Sequence, residues 1–504
     1  MGCLTCKEMQ RLEEVAFNEG VTAEALMEKA GLGIAQAILR RYPDFTRSPV
    51  AIACIGSGNN GGDALVALRH LEKAGWKVGV KCQHALSRLG VLPRKKWREL
   101  DGVLTEDPES QRDRGCPLIL LDGLLGIGGH GPLRPPLDEL ATWMHHIRDD
   151  DGAEVIAMDI PSGVDGDTGA ACDHAVVADL TLTVGVPKVG LFSELAVNYT
   201  GAIECVPLAE LPVPDAPDSP DALAASRPYL NDVHSLRGLL PRRPHDFHKG
   251  DAGRVGIVAG SRGMLGAAVL CAQGAMRAGA GLVTLFIDED LYPLLVPMMP
   301  PEVMLRPVSR LQEIHEVELD VLAVGPGMGR GDADSRKDFF DLLKRFDRPV
   351  VLDADGLNRI ASDGVENHIG PHMTLTPHPG EMARLFPDGA GMSRLEACRA
   401  FASRYAGTTV LLKGARSLIV EDGSPSYVNG TGHAGMASGG QGDVLTGVIA
   451  SLLGQGVRQL DAARLGAWLC GRAAEFALSH GGASMQSISA GDVPNWLGRA
   501  FREL

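Results

Sequence analysis

The chain has 504 residues, of which 45% are hydrophobic and 22% charged, and its formal net charge is -15 at pH 7. This length exceeds one ordinary hydrophobic core and predicts about two to four domains, and the composition is typical of a soluble globular protein. The negative charge argues against a nucleic-acid-binding or acidic-membrane-binding protein, since either would need a basic face.

The cysteines and the N-terminus indicate a cytoplasmic protein without a membrane partner. The ten cysteines lack paired spacing, so reduced thiols are the default, and the C-x-x-C of Cys3 and Cys6 is interpreted as incidental. No run of residues approaches the ~18 apolar residues of a membrane span. The N-terminus also lacks the apolar core of a signal peptide.

The first half of the chain begins with a predicted amphipathic helix at residues 22–40, which Pro43 ends. An apolar strand at residues 50–56 then leads into a glycine-rich loop, a helix at residues 64–73 and another strand. Strand, glycine loop, helix and strand form a βαβ unit with the loop at the carboxyl end of the first strand.

The same strand-then-polar-loop pattern recurs at residues 117–133, 154–169 and 178–191. Four strands with polar residues at their carboxyl ends predict a doubly wound sheet with a site along that edge. The polar residues there are Asn59, Asn60, Asp63, Asp122, Asp159, Ser162 and Lys188.

Each of these residues also has a structural explanation. Asp122 and Asp159 suit helix N-caps, Asn60 suits a left-handed turn, and Lys188 suits a solvated charge. Their repetition at four strand ends favours a site. The oxygen donors of Asn60, Asp122 and Ser162 would suit a hard cation rather than zinc.

Five motifs of the first half resemble the NAD(P)H-hydrate epimerases: LMEKAG, GSGNNGGDALVALRHL, LDGLLGIGGHGPL, MDIPSGVDGDTG and VGVPKVGL. The resemblance implies a Rossmann-like domain over residues 1–212 that binds hydrated NADH or NADPH. It implies that potassium is held by Asn60, Asp122 and Ser162, and that Asp159 contacts substrate near the reacting carbon, with Lys188 as second candidate for the proton chemistry. The implied substrate-binding residues are Asn59, Asn60, Gly61, Gly62, Asp63, Gly126, Ile127, Gly128, Gly129, His130, Gly131, Pro132 and Asp159.

Residues 211–228 contain five prolines and three aspartates without apolar periodicity. Such a composition predicts a solvated, semi-stiff linker, which we place at residues 213–227. The second domain, residues 228–504, starts with a strand, a glycine loop, a small-residue helix at residues 267–278 and a strand. That helix would allow close packing of backbones or close approach of a ligand.

The strand-then-polar-turn form returns at residues 320–329, 349–358, 373–382 and 408–423, which predicts a second α/β domain. His378 follows one of these strands, and a lone histidine is more often structural than catalytic. Its position at a strand end, which it shares with Asp353, Glu381 and Lys413, also suits a functional role, so both interpretations stay open.

Residues 429–453 join a glycine-rich loop to a helix, which we expect to start near Asp443, to bury one apolar stripe and to be the last element. The unpaired N–H groups of a first helical turn bind anions. Asp443 could merely cap the helix, but the long glycine loop before it favours a phosphate site with Asp443 as catalytic base.

The second half resembles the ribokinase-like fold, in its ADP-dependent NAD(P)H-hydrate dehydratase branch, through HKGDAGRV, GSRGMLGAA, GPGMG, DADGLN, LTPHPGE, KGARS and NGTGHAGMASGGQGD. The resemblance implies ADP as co-substrate and a magnesium ion. The implied contacts to hydrated NAD(P)H are Ala267, Gly327, His378 and Asp443. The implied nucleotide-binding residues are Lys413, Gly414, Ala415, Arg416, Ser417 and Gly442.

Together the two resemblances imply a fused repair enzyme that exchanges the R and S epimers of hydrated NAD(P)H and dehydrates the S epimer with ADP. One alternative is a vitamin-precursor kinase of the same fold, which would stop at a stable phosphorylated product. Another is a catalytically silent nucleotide-binding scaffold, which would bind tightly without turnover. Parallel α/β domains of this kind often assemble, so we expect a homo-oligomer.

Overall fold

A computed structural model describes residues 2–42, 49–100, 104, 116–129, 131–212 and 227–504. The chain divides into two compact units, Met1–Ala216 and Pro217–Leu504. Of the predicted linker at residues 213–227, all but Arg227 lies outside the described residues. The three predicted domain bounds therefore remain a proposal.

The first unit is a doubly wound α/β domain, as predicted. Its helices are α1 (Cys6–Asn18), α2 (Ala23–Arg41), α3 (Asn59–Lys73), α4 (Val91–Glu99), α5 (Leu137–Asp151) and α6 (Val197–Thr200). Its strands are β1 (Val50–Ile55), β2 (Lys77–Lys81), β3 (Leu118–Gly123), β4 (Glu154–Met158), β5 (Leu180–Val184) and β6 (Ala202–Val206). The strands are parallel in the order β2-β1-β3-β4-β5-β6, and separate apolar cores cover the two faces. The order reverses direction between β1 and β3, which is where such sheets form a ligand crevice.

Helix α3 begins five residues earlier than predicted, so Asn59–Asp63 form its first turns and are not a loop. The two glycines of this segment have low helix propensity, which is why the sequence indicated a loop. Packing overrides that preference, because Gly61 and Gly62 are buried. The side chain of Met27 on α2 leaves no room for a Cβ at Gly62.

The second unit is built on a larger, mainly parallel sheet. Its helices are α7 (Val233–Leu236), α8 (Leu265–Arg277), α9 (Tyr292–Leu295), α10 (Ala333–Arg345), α11 (Ala354–Asp363), α12 (Pro379–Leu385), α13 (Arg394–Arg404), α14 (Gln441–Gly454), α15 (Gln459–His480) and α16 (Val493–Phe501). Its strands are β7 (Tyr229–Asn231), β8 (Arg254–Val258), β9 (Leu282–Asp288), β10 (Met304–Val308), β11 (Val321–Val324), β12 (Val350–Leu352), β13 (Met373–Leu375), β14 (Thr409–Leu412), β15 (Leu418–Glu421) and β16 (Tyr427–Asn429). The order is β10-β9-β8-β11-β12-β13-β14-β15-β16-β7, and of these described strands only β15 runs antiparallel to its neighbours.

Two expectations about α14 are wrong. It is not the last element, because α15 and α16 follow it, and it buries every residue from Val444 to Leu453 rather than one stripe. The small-residue helix α8 packs directly against it: a Cβ at Gly447 would lie 2.0 Å from the carbonyl oxygen of Cys271. The small residues of α8 thus serve close backbone packing, which leaves α14 rigidly held.

No helix among the described residues is long and apolar enough to span a membrane.

Candidate functional sites

Three oxygen-bearing side chains meet at the carboxyl ends of β3 and β4 in the first unit. Asp122 is fully buried at the end of β3 and accepts hydrogen bonds from the backbone N–H and the hydroxyl of Ser162, both at 2.7 Å. The carbonyl oxygen of Leu125 accepts from Asn60 Nδ2 at 2.7 Å and lies 3.3 Å from Ser162 Oγ. The structure therefore brings together the three residues expected to hold a cation.

Burial raises the pKa of Asp122 to about 6, although the hydrogen bonds from Ser162 oppose this effect. Within the described ranges, no lysine or arginine forms an ion pair with Asp122. A buried carboxylate is costly unless it is paired, protonated or bound to a cation. Asp122, Ser162, the amide of Asn60 and the Leu125 carbonyl offer oxygen ligands and no thiolate or imidazole, which suits a hard cation rather than zinc.

The second group in this unit is an ion pair between Asp159 and Lys188. The ammonium of Lys188, whose side chain is 0% exposed, contacts Asp159 Oδ1 and donates to the carbonyl oxygen of Val184 at 2.8 Å. Asp159 adopts φ of 73°, a left-handed conformation that is costly for this residue type. The interpretation of Lys188 as a solvated charge is therefore wrong.

Two further acidic groups lie around this ion pair. Burial raises the pKa of Asp63 well above its usual range, and the charges of Asp159 and Glu13 raise it further. The pKa of Glu13 on α1 is also raised by burial. Asp159, Asp63 and Glu13 thus lie around one buried lysine, and burial favours the protonated forms of Asp63 and Glu13. Glu13 was missed from the sequence because α1 carries no motif that relates it to the sheet edge.

The remaining residues expected to bind the hydrated dinucleotide lie beside this group. Asn59 is exposed at the start of α3, and Gly126 approaches Asn60 closely enough that a Cβ would lie 3.4 Å from the Asn60 Cβ. Gly129 donates to the carbonyl oxygen of Gly126 at 2.9 Å, which shapes a turn after β3. His130 lies outside the described residues.

In the second unit, Asp443 lies in the first turn of α14 beside a buried ion pair. The Lys413 ammonium donates to Asp353 Oδ1 at 2.5 Å, and the Thr446 hydroxyl donates to Asp353 Oδ2 at 2.9 Å. A Cβ at Gly442 would lie 3.1 Å from Lys413 Nζ and 3.2 Å from Asp353 Oδ2. Glycine at this position lets the helix N-terminus approach the ion pair directly.

Burial raises the pKa of Asp443 to about 7, and the charge of Asp353 adds to this effect while Lys413 opposes it. A carboxyl group that titrates near neutral pH at a helix N-terminus suits a general base. The backbone N–H groups of the same turn would face a phosphate. The N-cap of α14 is Gly440, so Asp443 lies in the first turn, where its carboxylate also complements the helix dipole.

The other predicted substrate contacts lie on neighbouring loops of the same sheet edge. Gly327 has φ of 60°, and a Cβ there would lie 2.9 Å from the Cβ of Ala267, so these two residues are adjacent. His378 caps α12, and its Nδ1 accepts from the backbone N–H of Gly380 at 3.0 Å. The Lys413 N–H donates to the carbonyl oxygen of Pro377 at 2.8 Å, which places His378 next to the Lys413 strand end. The side chain of His378 is 51% exposed, so it remains accessible.

The turn Lys413–Ser417, expected to bind the nucleotide, connects β14 to β15. Arg416 is buried, and burial lowers its pKa to about 10 while nearby Glu475 opposes the shift. Glu475 on α15 also accepts from the backbone N–H of Gly432 at 2.9 Å. This carboxylate therefore links the predicted nucleotide turn to the glycine loop before α14. Its role was not predictable, because α15 was not expected.

These features define a protein of two α/β units with polar and acidic side chains gathered at the carboxyl edge of each sheet. Residues 255–493 match the family model described as NAD(P)H-hydrate dehydratase, and residues 23–190 match the one described as YjeF-related protein N-terminus. The chain belongs to the family of bifunctional NAD(P)H-hydrate repair enzymes, which combine an epimerase with a dehydratase. The predicted family, fold class and enzyme class are confirmed.

Several known proteins are similar to this chain. The bifunctional NAD(P)H-hydrate repair enzyme Nnr of Moorella thermoacetica is 35% identical over 100% of this chain and 97% of its own length. The Escherichia coli enzyme of the same name is 33% identical over 92% of this chain and 87% of its own length. A solved structure of an ADP/ATP-dependent NAD(P)H-hydrate dehydratase from Bacillus subtilis, co-crystallised with ATP and Mg2+, is 27% identical with a TM-score of 0.45 and covers 54% of this chain and 97% of its own.

Proposed function

We propose that the second unit dehydrates the S epimer of hydrated NADH or NADPH by consuming ADP and forming AMP and phosphate. The observation that carries this proposal is the carboxyl group of Asp443, which titrates near neutral pH in the first turn of α14 beside the Lys413–Asp353 ion pair. Asp443 would accept the proton of the substrate hydroxyl as that oxygen takes the phosphoryl group. Phosphate is then a much better leaving group than hydroxide, and its departure together with a proton from the adjacent ring carbon restores the double bond of the nicotinamide ring.

The neighbouring groups would position the two substrates. Lys413–Ser417 and Gly442 would bind the nucleotide, and Ala267, Gly327 and His378 would contact the hydrated dinucleotide. The first-turn N–H groups of α14 would stabilise charge on the transferred phosphoryl group. Magnesium bound by the nucleotide phosphates would neutralise part of that charge.

The first unit would interconvert the R and S epimers at the Asp159–Lys188 pair. Inverting a hydroxyl-bearing carbon requires a proton for the departing oxygen and removal of a proton from the returning water. Asp159 would carry that proton, while the buried ammonium of Lys188, which is paired with it, would fix its orientation. The residues Asn59–Asp63 and the loop from Gly126 to Pro132 would bind the dinucleotide across the β1/β3 crevice.

A potassium ion fits the oxygen cluster of the first unit, where Asn60, Asp122 and Ser162 would hold it. Bound there, it would neutralise the buried Asp122 carboxylate and stabilise the loops that carry the substrate contacts. Hydrogen bonds to the backbone of Leu125 hold the two other residues of this cluster in position. Asn60 Nδ2 donates to the Leu125 carbonyl oxygen, and the Leu125 N–H donates to Ser162 Oγ.

Potassium chloride is expected to raise the melting temperature of the first unit relative to tetramethylammonium chloride at equal ionic strength. Binding to the folded state alone stabilises by about 2.7 kcal/mol when the ion is at 100 times its Kd. Differential scanning calorimetry would measure the shift. The Asp122→Asn variant should lose it, and an equal potassium effect in that variant would contradict this site.

The rate of dehydration is expected to rise with pH through about 7, because Asp443 must lose its proton before it can act as a base. Below this value kcat/KM should fall about tenfold per pH unit, since the ionised fraction falls by that factor. A pH profile of kcat/KM with the purified S epimer would test this. A profile that stays flat between pH 5.5 and 8 would exclude Asp443 as the titrating base.

The function itself is tested by supplying mixed epimers of hydrated NADH with ADP and magnesium. We expect complete recovery of NADH together with stoichiometric AMP and phosphate. Recovery of only the S fraction would mean that the first unit is not an epimerase. A stable phosphorylated product would indicate a kinase, and tight nucleotide binding without turnover would indicate a scaffold.

We also propose that the enzyme works in the cytoplasm, which agrees with the lack of paired spacing among its ten cysteines. A homo-oligomer is proposed by analogy with other parallel α/β domains. Cell fractionation and light scattering would test these two proposals.

A further inference from the structure

We propose that Glu13 of α1 is a second proton-transfer group of the first unit, and that it serves the face of the nicotinamide ring opposite to the one that Asp159 serves. This inference rests on the proposed epimerase function and adds a residue to its chemistry. Epimerisation moves a hydroxyl group from one face of a ring carbon to the other. A proton must therefore be delivered on one face and removed on the other.

The segment before α1 fixes this helix to the strand end that carries Lys188. The Leu4 N–H donates to the carbonyl oxygen of Pro187 at 2.9 Å, and the Val189 N–H donates to the carbonyl oxygen of Leu4 at 2.9 Å. Leu4 therefore pairs with the backbone on both sides of Lys188. Helix α1 begins two residues later, at Cys6, so its position is set by the backbone that carries the buried lysine.

One face of α1 is turned toward the site. Met9 and Ala16 are buried on this face, and a Cβ at Gly185 would lie 2.8 Å from Met9 Cε. Ile127, from the loop expected to bind the dinucleotide, packs against the same apolar cluster. Glu13 lies four residues after Met9 and three before Ala16, and residues with these spacings share one face of a helix. The half-buried Glu13 therefore lies on the face of α1 that packs against both the Lys188 segment and the substrate loop.

The surroundings of Glu13 and Asp159 suit them to complementary roles. Asp159 forms the ion pair with the buried Lys188 ammonium, which suits it to act as the base. Burial raises the pKa of Glu13, an effect that the charge of Lys188 opposes and the charge of Asp159 reinforces. The protonated form of Glu13 is thereby favoured, which suits it to act as the acid. Among the described residues, no hydrogen bond holds the Glu13 carboxyl group, so it is available to a substrate.

The two groups would complete the inversion as a balanced exchange of protons. Glu13 gives its proton to the hydroxyl group on its own face, the C–O bond breaks with its electron pair going to oxygen, and water leaves. The lone pair of the neighbouring ring nitrogen forms a C=N⁺ bond to the same carbon. A water molecule then adds from the other face and gives a proton to Asp159, while the π electrons return to nitrogen. The product leaves Glu13 ionised and Asp159 protonated, which is the state that the reverse reaction requires.

The test follows inversion and exchange of the hydroxyl oxygen in H₂¹⁸O, with the full chain, separated R and S epimers of hydrated NADH and no ADP. A protein that lacks one carboxyl group should still exchange the hydroxyl oxygen on the other face without inverting it. Glu13→Gln is expected to slow inversion about 100-fold or more and to retain oxygen exchange in only one epimer. Asp159→Asn should retain exchange in the opposite epimer. Chromatography coupled to mass spectrometry would measure both rates.

Three further variants make the assignment specific. Glu14→Gln changes the exposed neighbouring carboxylate on α1, and it should invert and exchange at wild-type rates. Glu13→Asp keeps a carboxyl group and should retain more inversion than Glu13→Gln. Asp63→Asn removes the other acidic group near Lys188, and it should affect the two epimers equally. All variants should dehydrate the pure S epimer at the wild-type rate when ADP is supplied, since that reaction belongs to the other unit.

Three outcomes would overturn the assignment. Near-normal inversion by Glu13→Gln would show that this carboxyl group takes no part in the reaction. Equal loss of oxygen exchange from both epimers in this variant would show that Glu13 supports the fold or substrate binding and transfers no proton. Wild-type protein that interconverts the epimers no faster than an enzyme-free sample would overturn the proposed epimerase function itself, which distinguishes the two failures.

Discussion

Replacing Asp443 with asparagine is expected to slow dehydration of the S epimer at least ~100-fold, which is the usual cost of losing a general base. The amide occupies nearly the same volume but cannot take the hydroxyl proton at any pH. The fall should appear in kcat, because the phosphoryl group and the ring would still bind. Single-turnover measurement of NADH formation with ADP and magnesium would quantify it.

Two controls separate this effect from a general disturbance. The Asp443→Asn protein should epimerise hydrated NADH at the wild-type rate, since that reaction belongs to the other unit. Thr446→Val removes the hydroxyl that donates to Asp353 and leaves the carboxyl group of Asp443 in place, so it should cost much less. Near-normal dehydration by Asp443→Asn would exclude the base role proposed for this residue.

The second large effect is expected for Asp159→Asn, which should lower the rate of epimerisation by about 10²–10⁴-fold. The substitution removes the carboxylate expected to carry the proton. It also removes the carboxylate that contacts the buried Lys188 ammonium, which costs up to about 3–5 kcal/mol of folding free energy. NMR of the exchange between R and S epimers would measure the rate, and urea unfolding would measure the stability.

The double variant Asp159→Asn/Lys188→Met distinguishes lost chemistry from lost stability. Removing both charges leaves an uncharged pair, so most of the lost stability should return while epimerisation stays slow. Dehydration of the pure S epimer provides an internal control for the other unit in both proteins. Recovery of epimerisation in the double variant would mean that Asp159 and Lys188 serve the fold and not the reaction.

The sequence located polar residues correctly where apolar strands end, because the carboxyl ends of parallel strands share one edge of a sheet. This is why Asp122, Ser162 and Asn60 could be grouped from strand-end positions alone, and why Asp443 could be placed at a helix N-terminus. The same reasoning could not recognise Asn59–Asp63 as helical, because the low helix propensity of glycine argues against a helix. The helix forms there because Gly61 and Gly62 are buried and Gly62 packs against α2.

Local patterns by themselves determined the class of this protein: two α/β units, their glycine loops and the acidic groups that follow their strands. Only the tertiary structure decided how those groups behave. Lys188 resembles a solvated charge in the sequence, yet it is fully buried against Asp159. Nothing in the sequence around Asp443 indicates an unusual pKa, yet burial and the nearby charge of Asp353 raise the pKa of its carboxyl group to about 7. The burial of a titratable group and its distance from other charges depend on contacts between residues far apart in the chain. A short stretch of sequence does not contain those contacts, so it cannot predict the pKa shift.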